Sequence, residues 1–316
     1  MVQLRLLETA EVGVSALLAL CKKSSEAPMN QSFSLDLAPF KFLVHTSAPE
    51  LFQRLSELYP PSVLRSGQND DLIYDFEIHF KRRFWQPGGS LAFRLGQQHF
   101  RFADADQIVP VFEWGLNWCV ATYQSRYLCI HAAVLEKDGM AVILPAPPGS
   151  GKSTLCAMMM LHGWRLLSDE HCMIDPASGD IVPCVRPLSL KNNSLSVMAA
   201  LYPQIPLRQR TENTPKGTMA YLAPSELSWA SRTVTAKPRL VIFPKYNAAV
   251  DGLTGSIFPP SALFMQLALN CFNYSVMGET GFETLQALVQ QVEGFSFEYN
   301  NGTLAVQQIE ALLNAE

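Results

Sequence analysis

The stretch Ala146-Pro147-Pro148-Gly149-Ser150-Gly151-Lys152-Ser153-Thr154 decides how the rest of the chain is read. Before it, Met140 to Leu144 is an apolar run of strand length. After it, Lys152 to about His162 has an apolar face at helical spacing, and Gly163 is placed to end that helix. A glycine-rich loop running into a helix N-terminus exposes a ring of backbone N–H groups, the donors that phosphate oxygens need. Gly149 and Gly151 let the backbone turn closely around an anion. Lys152 brings a positive charge to the β and γ phosphates of a nucleotide, and the Ser153 hydroxyl is placed to ligate Mg²⁺. Pro148, Gly149, Ser150, Gly151, Lys152, Ser153 and Thr154 are therefore expected to bind ATP, accompanied by Mg²⁺. Ala146 stands where the usual motif has its first glycine, a difference of one methyl group. The competing reading is a glycine-rich turn that caps an ordinary helix.

The strand expected next, Trp164 to Ser168, ends in Ser168-Asp169-Glu170-His171. Phosphoryl transfer needs carboxylates to hold Mg²⁺ and to take the proton of an attacking hydroxyl. Asp169 is the expected catalytic acid–base group, with Glu170 for the metal or its water shell. A strand end is also a common exposed place for acids. His131 belongs to a strand candidate, Tyr127 to Val134, that should lie beside the loop strand; it reads as an orienting group or, equally, as a partly buried structural histidine. His162 and His171 lack metal-ligand spacing, which argues against zinc. Arg186, Arg208, Arg210 and Lys216 could neutralise phosphate charge, although each alone reads as a surface residue.

Outward from this centre, the pattern gives a short helix at 9–21 and a polar link over 22–31. A strand pattern covers Phe33 to Val44, and a helix from Glu50 to Leu58 stops before Pro60. Leu72 to Phe80 and Ser90 to Phe102 read as strands joined by a turn at Gln86-Pro87-Gly88-Gly89. Pro110 to Tyr123 reads as an aromatic-rich helix between two layers. The stretch 186–217 is rich in loop formers and basic residues. Arg239 to Phe243 reads as a strand, and Ala262 to Leu269 and Phe282 to Val292 as helices.

Composition sets outer limits. Of 316 residues, 48% are hydrophobic and 16% charged, enough to bury a sizeable core. A net charge of −4 without a basic block gives no footprint for nucleic acid. Seven cysteines are scattered without a Cys-x-x-Cys pair, as expected of free thiols in a reducing compartment. The longest apolar run near the start, Val12 to Cys21, is about half of a membrane span. The expectation is a cytoplasmic protein that engages neither membrane nor nucleic acid.

The span from His131 to about Asp175 resembles HPr kinase/phosphorylase, and the whole chain resembles the HPr-kinase-related family called type A. The residues that carry this include Glu113-Trp114-Gly115-Leu116-Asn117-Trp118-Cys119, the loop 147–156 and Gly163 to Glu170. They continue through Arg186-Pro187-Leu188-Ser189-Leu190-Lys191-Asn192, Thr214-Pro215-Lys216-Gly217 and Asn270 to Tyr274. The resemblance implies an α/β catalytic domain with a mixed sheet and a phosphate-binding loop, of the kind shared with phosphoenolpyruvate carboxykinase, over 111–316. A smaller α+β domain over 1–110 would precede it. It also implies that Asp169 is the general base, that His131 lies near Asp169 and modulates it, and that Ser153 with a neighbouring acid binds Mg²⁺. HPr kinases assemble into oligomers, which allows a homo-oligomer here. The glycine-rich signature that follows the acids in those enzymes has no match, which points away from HPr itself. The expected activity is an ATP- and Mg²⁺-dependent kinase acting on the hydroxyl of a small molecule or of a peptide or protein serine. An ATPase or nucleotide-dependent switch acting on a protein partner, and a non-catalytic nucleotide-binding module, are the rivals.

Overall fold

The computed structural model describes residues 31–315 apart from 70, 84–88, 103 and 148. The helix expected at 9–21, positions 86–88 of the expected turn, and Pro148 lie outside the described residues.

The first layer is a six-stranded sheet. The single strand expected over 33–44 is two antiparallel strands, β1 (Gln31–Asp36) and β2 (Lys41–Thr46). Pro39 cannot donate to a ladder, and the backbone turns there, with Leu37 N–H donating to Phe40 O at 2.9 Å. Helix α1 (Glu50–Ser56) and β3 (Leu64–Ser66) follow. The strand expected from Leu72 starts only at Phe76, as β4 (Phe76–Arg83). The preceding residues fold on themselves instead: Leu72 N–H donates to Asn69 O, and the Asp75 carboxylate accepts from Lys41 N–H at 2.9 Å. Gly96, at φ +54°, divides the last expected strand into β5 (Ser90–Leu95) and β6 (Gln98–Phe102). The order is β3-β1-β2-β4-β5-β6, antiparallel except for the parallel pair β2–β4.

Helix α2 (Ile108–Tyr123) lies on this sheet, and the domain boundary expected at 110 falls in its first turn. The Phe112 ring sits 5.8 Å from Phe80 and 6.2 Å from Phe33. Gly115 is required by contact: a Cβ there would be 2.1 Å from the Phe93 ring.

The second layer is a mixed sheet. Strand β7 (Leu128–Lys137) turns at Asp138-Gly139, both at positive φ, into β8 (Met140–Pro145). Then come α3 (Lys152–Leu161), β9 (Arg165–Ser168), β10 (His171–Ile174) and β11 (Ile181–Val182). The region 186–217, expected to be loop-rich, instead begins a separate three-stranded antiparallel sheet. This comprises β12 (Leu188–Lys191), β13 (Arg208–Thr214) and β14 (Gly217–Leu222), with α4 (Asn193–Leu201) between β12 and β13. After α5 (Glu226–Ala230), the mixed sheet resumes with β15 (Lys237–Tyr246), β16 (Leu253–Ile257) and β17 (Glu293–Tyr299). Helices α6 (Pro260–Leu269) and α7 (Tyr274–Gln291) precede β17, and α8 (Gly302–Leu313) follows it. The order is β11-β10-β7-β8-β15-β17-β16, with β9 also on β7; β8, β15 and β17 are mutually parallel.

Strand alternation apportions the cores. Val142 and Leu144 of β8 face Leu155 and Met159 of α3 and Val306 and Ile309 of α8. Ala141 and Ile143 face Leu263 and Leu267 of α6 and Leu285 and Leu288 of α7. Cys129 of β7 reaches the other way, into the core that holds Phe112 and Leu116. Strand β7 thus ties the two layers together and brings α2 over the end of the mixed sheet. No helix among the described residues is long and apolar enough to cross a membrane.

Candidate functional site

The site is built where β8 ends. The carbonyl of Ser150 accepts from Tyr246 N–H at 2.8 Å, so the loop after β8 is fastened to the end of its parallel neighbour β15. Gly149 and Gly151 have φ +89° and +92°, a region that side chains disfavour. A Cβ on Gly151 would also come within 3.0 Å of the Tyr299 hydroxyl and 3.1 Å of Tyr246 Cβ. Helix α3 starts directly after Gly151, and its first backbone carbonyl bond runs from Leu155 N–H to Gly151 O at 3.0 Å. Lys152 N–H reaches only the Ser150 hydroxyl, at 3.4 Å, and first-turn N–H groups of this kind are the donors that an anion at a helix start accepts from.

Two side chains of that turn reach the end of β9. Lys152 Nζ donates to Asp169 O at 2.9 Å, and Ser153 Oγ donates to Asp169 Oδ1 at 3.4 Å. The other carboxylate oxygen of Asp169 accepts from Ser189 N–H at 3.4 Å. Burial pushes the Asp169 carboxyl up to about 6, against the pull of Lys152. Of the residues expected at the metal, the Ser153 hydroxyl faces Asp169, while Glu170 is turned to His131. Thr154, expected at the nucleotide, is turned to α4, where Oγ1 donates to Ser194 Oγ at 2.9 Å.

His131, expected near Asp169, is hydrogen-bonded to the adjacent acid. Strands β7 and β10 are in a register that sets His131 opposite His171. The turn at 168–170, held by His171 N–H donating to Ser168 Oγ at 2.9 Å, puts Glu170 on the His131 side. His131 Nε2 lies 3.0 Å from Glu170 Oε2. Burial alone would raise Glu170, but the His131 hydrogen bond and the Lys152 charge hold its carboxyl well below the usual range. Two adjacent acids are thus pushed apart, Asp169 upward and Glu170 downward, as in sites that divide acid–base and charge-holding work. His171 is held neutral, its pKa lowered to about 3 by burial and by the Arg186 charge.

Next to the acids is a recess lined by Glu113, Trp114 and Asn117 of α2, Ser168 to Glu170, Arg186, and Tyr221 of β14. Arg186, expected at the surface or on phosphate, is 7% exposed. Its Nη2 donates to Asn117 Oδ1 at 2.5 Å and lies 3.6 Å from Glu113 Oε2. Glu113 Oε1 accepts from the Tyr59 hydroxyl at 2.6 Å. Lys216 Nζ stands 5.3 Å over the Trp114 ring at the rim. Arg210 pairs with Glu212 on the exposed face of β13. The sequence reading did not assign site roles to Glu113, Asn117, Ser189 and Tyr221. A usable signal existed for two of them: Glu113 and Asn117 are polar, one turn apart, in an otherwise apolar and aromatic helix.

Among the described residues, no group of three or more His, Cys, Asp or Glu side chains is arranged to hold a metal ion. The Ser153 hydroxyl with an adjacent carboxylate does suit Mg²⁺, which takes one or two protein oxygens and completes its shell with water and phosphate.

Residues 102–183 match the family model described as SynChlorMet cassette protein ScmC, a stretch running from the end of β6 through α2, the loop and both acids to just beyond β11. No curated protein matches the chain. The family finding corrects the expected membership of the HPr-kinase-related family: the model that matches over the loop and the acids is ScmC, whose description names a cassette and no activity.

Proposed function

We propose that the chain is an ATP- and Mg²⁺-dependent phosphotransferase that moves the γ-phosphoryl group to a hydroxyl of a small molecule or of a peptide or protein. One observation carries this reading: Lys152 and Ser153, from the first turn of the loop helix, converge on Asp169 at 2.9 and 3.4 Å. A structural cap would need neither a lysine nor an acid there. The 149–153 backbone and Lys152 hold the nucleotide phosphates. Mg²⁺, when bound by Ser153 and an adjacent acid, would neutralise charge developing on the phosphate oxygens. In the transfer, the acceptor oxygen bonds to the γ-phosphorus, the bridging oxygen leaves with ADP, and the hydroxyl proton passes to Asp169. Its raised pKa brings it closer to the working pH, where a general base is most effective. Glu170, kept anionic by His131, is the acid left to face the metal or its water shell. A cytoplasmic setting belongs to the same reading; Cys119, Cys129, Cys156, Cys172, Cys184 and Cys271 are all free thiols.

An ATPase acting on a protein partner is favoured by one feature. Phe272, 5.5 Å from the His131 ring, is part-exposed beside Leu269 and Val276, both 76% exposed. The test is incubation with γ-labelled ATP, Mg²⁺ and a fractionated extract of the source cells. Label in a discrete metabolite or peptide, lost in Lys152→Ala and reduced about 10²-fold or more in Asp169→Asn with nucleotide still bound, is the expected result. Release of free phosphate alone would promote the ATPase. Nucleotide binding without turnover would leave a binding module.

A further inference from the structure

Asp169 and Glu170 set the direction in which a nucleotide would lie on the loop. They stand at the turn between β9 and β10, and both strands pair with β7 on the side away from β8. With the γ-phosphate at the acids, the rest of the nucleotide runs back over the end of β8 toward its other neighbour, the parallel strand β15. In sheets of this kind ligands lie outside the carboxyl ends of the parallel strands. The carboxyl end of β15 is Tyr246.

The Tyr246 ring springs from the wall of the loop itself. Its backbone N–H donates to Ser150 O at 2.8 Å, and its Cβ is 3.1 Å from the place a Cβ on Gly151 would take. Leu240 and Ile242 of β15 face the core beneath α3 and α8, and Tyr246 continues that row beyond the core's edge, where it is 53% exposed. Both chain neighbours are tied down. Lys245 Nζ pairs with Glu298 Oε1 at 2.7 Å, Asn247 N–H donates to Tyr299 O at 2.9 Å, and Asn247 Nδ2 donates to Glu298 Oε2 at 2.8 Å. The Tyr299 ring meets Tyr246 at 5.9 Å and 78°, an edge contact that takes up at most one face. A single exposed aromatic is ordinary on a surface. One held in place at the loop, on the side opposite the acids, is preorganised to stack.

From this geometry we propose that Tyr246 is the platform on which the nucleobase stacks. The inference rests on the nucleotide binding of the reading above and adds the place of the purine. Every base has a π face, so such a ring favours a nucleotide over a bare phosphate chain without reading the base edge.

The test measures by calorimetry, with Mg²⁺ present, the binding of ATP and of inorganic tripolyphosphate, which carries the phosphates without the nucleoside. The parent, Tyr246→Ala and Tyr246→Phe are compared. Loss of one stacking contact should weaken ATP roughly tenfold in Tyr246→Ala, with tripolyphosphate unchanged and Tyr246→Phe close to the parent. ATP binding indifferent to Tyr246→Ala overturns the inference. So does equal weakening of ATP and tripolyphosphate, which would make Tyr246 a support for the loop, or an equal loss in Tyr246→Phe, which would make the hydroxyl the contact. Binding of neither ligand to the parent would sink the nucleotide reading and the platform together. Tyr246-dependent ATP binding with no label transferred to any acceptor would sink the phosphotransfer reading and leave the platform standing.

Discussion

Two buried arginines, Arg165 and Arg186, lie at opposite ends of one stretch of chain and show what a buried charge does when it is satisfied and when it is not. Arg165, on β9, pairs through Nε with Glu136 on neighbouring β7, and its Nη1 donates to Ser231 O at 2.9 Å and Val234 O at 2.7 Å. No buried nitrogen of it is left over. Arg186 has a glutamate and an asparagine but keeps a bare Nη1. The first closes the connection between β9 and the segment before β15. The second sits beside two acids whose carboxyls are pushed in opposite directions. A buried arginine with none of its buried nitrogens unpartnered is explained by the fold alone; one with a bare buried donor beside a recess is not.

The largest effect should come from breaking the satisfied pair. Arg165→Met leaves Glu136 buried without its cation and frees two carbonyls, and such losses cost about 3–5 kcal/mol. Urea unfolding should show this, with the nucleotide binding proposed for the 149–153 loop unchanged in the fraction that stays folded. Arg186→Met should cost less, about 1–3 kcal/mol. Glu113 keeps the Tyr59 hydroxyl, and burial already raises its carboxyl, so it can take up a proton instead of remaining a bare anion. If the two variants lose equal stability, the distinction between a closed and an open network fails.

The two ends should also differ in their response to acid. His171 has its pKa lowered to about 3 by burial and by Arg186, opposed by Glu170 and supported by His131 and Lys152. In the unfolded chain it takes a proton near 6.5, so its contribution to stability is intact above that pH and is lost as pH falls toward 3. Asp169 works in the opposite sense. With its carboxyl raised to about 6, the folded state gains a proton before the unfolded one, adding stability as pH falls through 6. The net curve is a partial cancellation, so the comparison must be made against a variant. Without metal or nucleotide, His171→Leu should narrow its stability deficit against the parent by about 2 kcal/mol between pH 7 and 5. A constant difference across that range would mean His171 is not held neutral.

The legible and illegible parts of the sequence divide along similar lines. Loop, helix and acids could be read from 140–170 because each feature is local: glycines at fixed offsets, a lysine and serine at a helix start, acids at the next strand end. The pairing of His131 with Glu170 could not, since it depends on the β7–β10 register, a contact 39 residues apart. The 186–217 segment reads as loop because its composition is polar. It forms strands because Leu188 and Leu190 of β12 find one core and Met219 of the paired β14, just beyond the segment, finds the other. The recess was hidden for the same reason: it draws Glu113 from α2, Arg186 from the segment after β11 and Tyr221 from β14, and only the packing of two layers brings them together.

The smallest effect sharpens the comparison most. Tyr59 and Tyr221 are both almost fully buried, 2% and 1% exposed, and both face the Glu113–Arg186 pair. Tyr59 donates to Glu113 at 2.6 Å, and Tyr221 donates to nothing in the protein. Tyr59→Phe removes a hydrogen bond to a charged group and should cost about 1.5–3 kcal/mol. Tyr221→Phe removes a hydroxyl that folding has stripped of water without compensation, so stability should hold or rise by up to about 1 kcal/mol. Thermal unfolding of the two variants side by side decides this. A clear loss in Tyr221→Phe would mean that its hydroxyl has a structural partner, and the recess would then lose the donor that most distinguishes a ligand-binding wall from a packing defect.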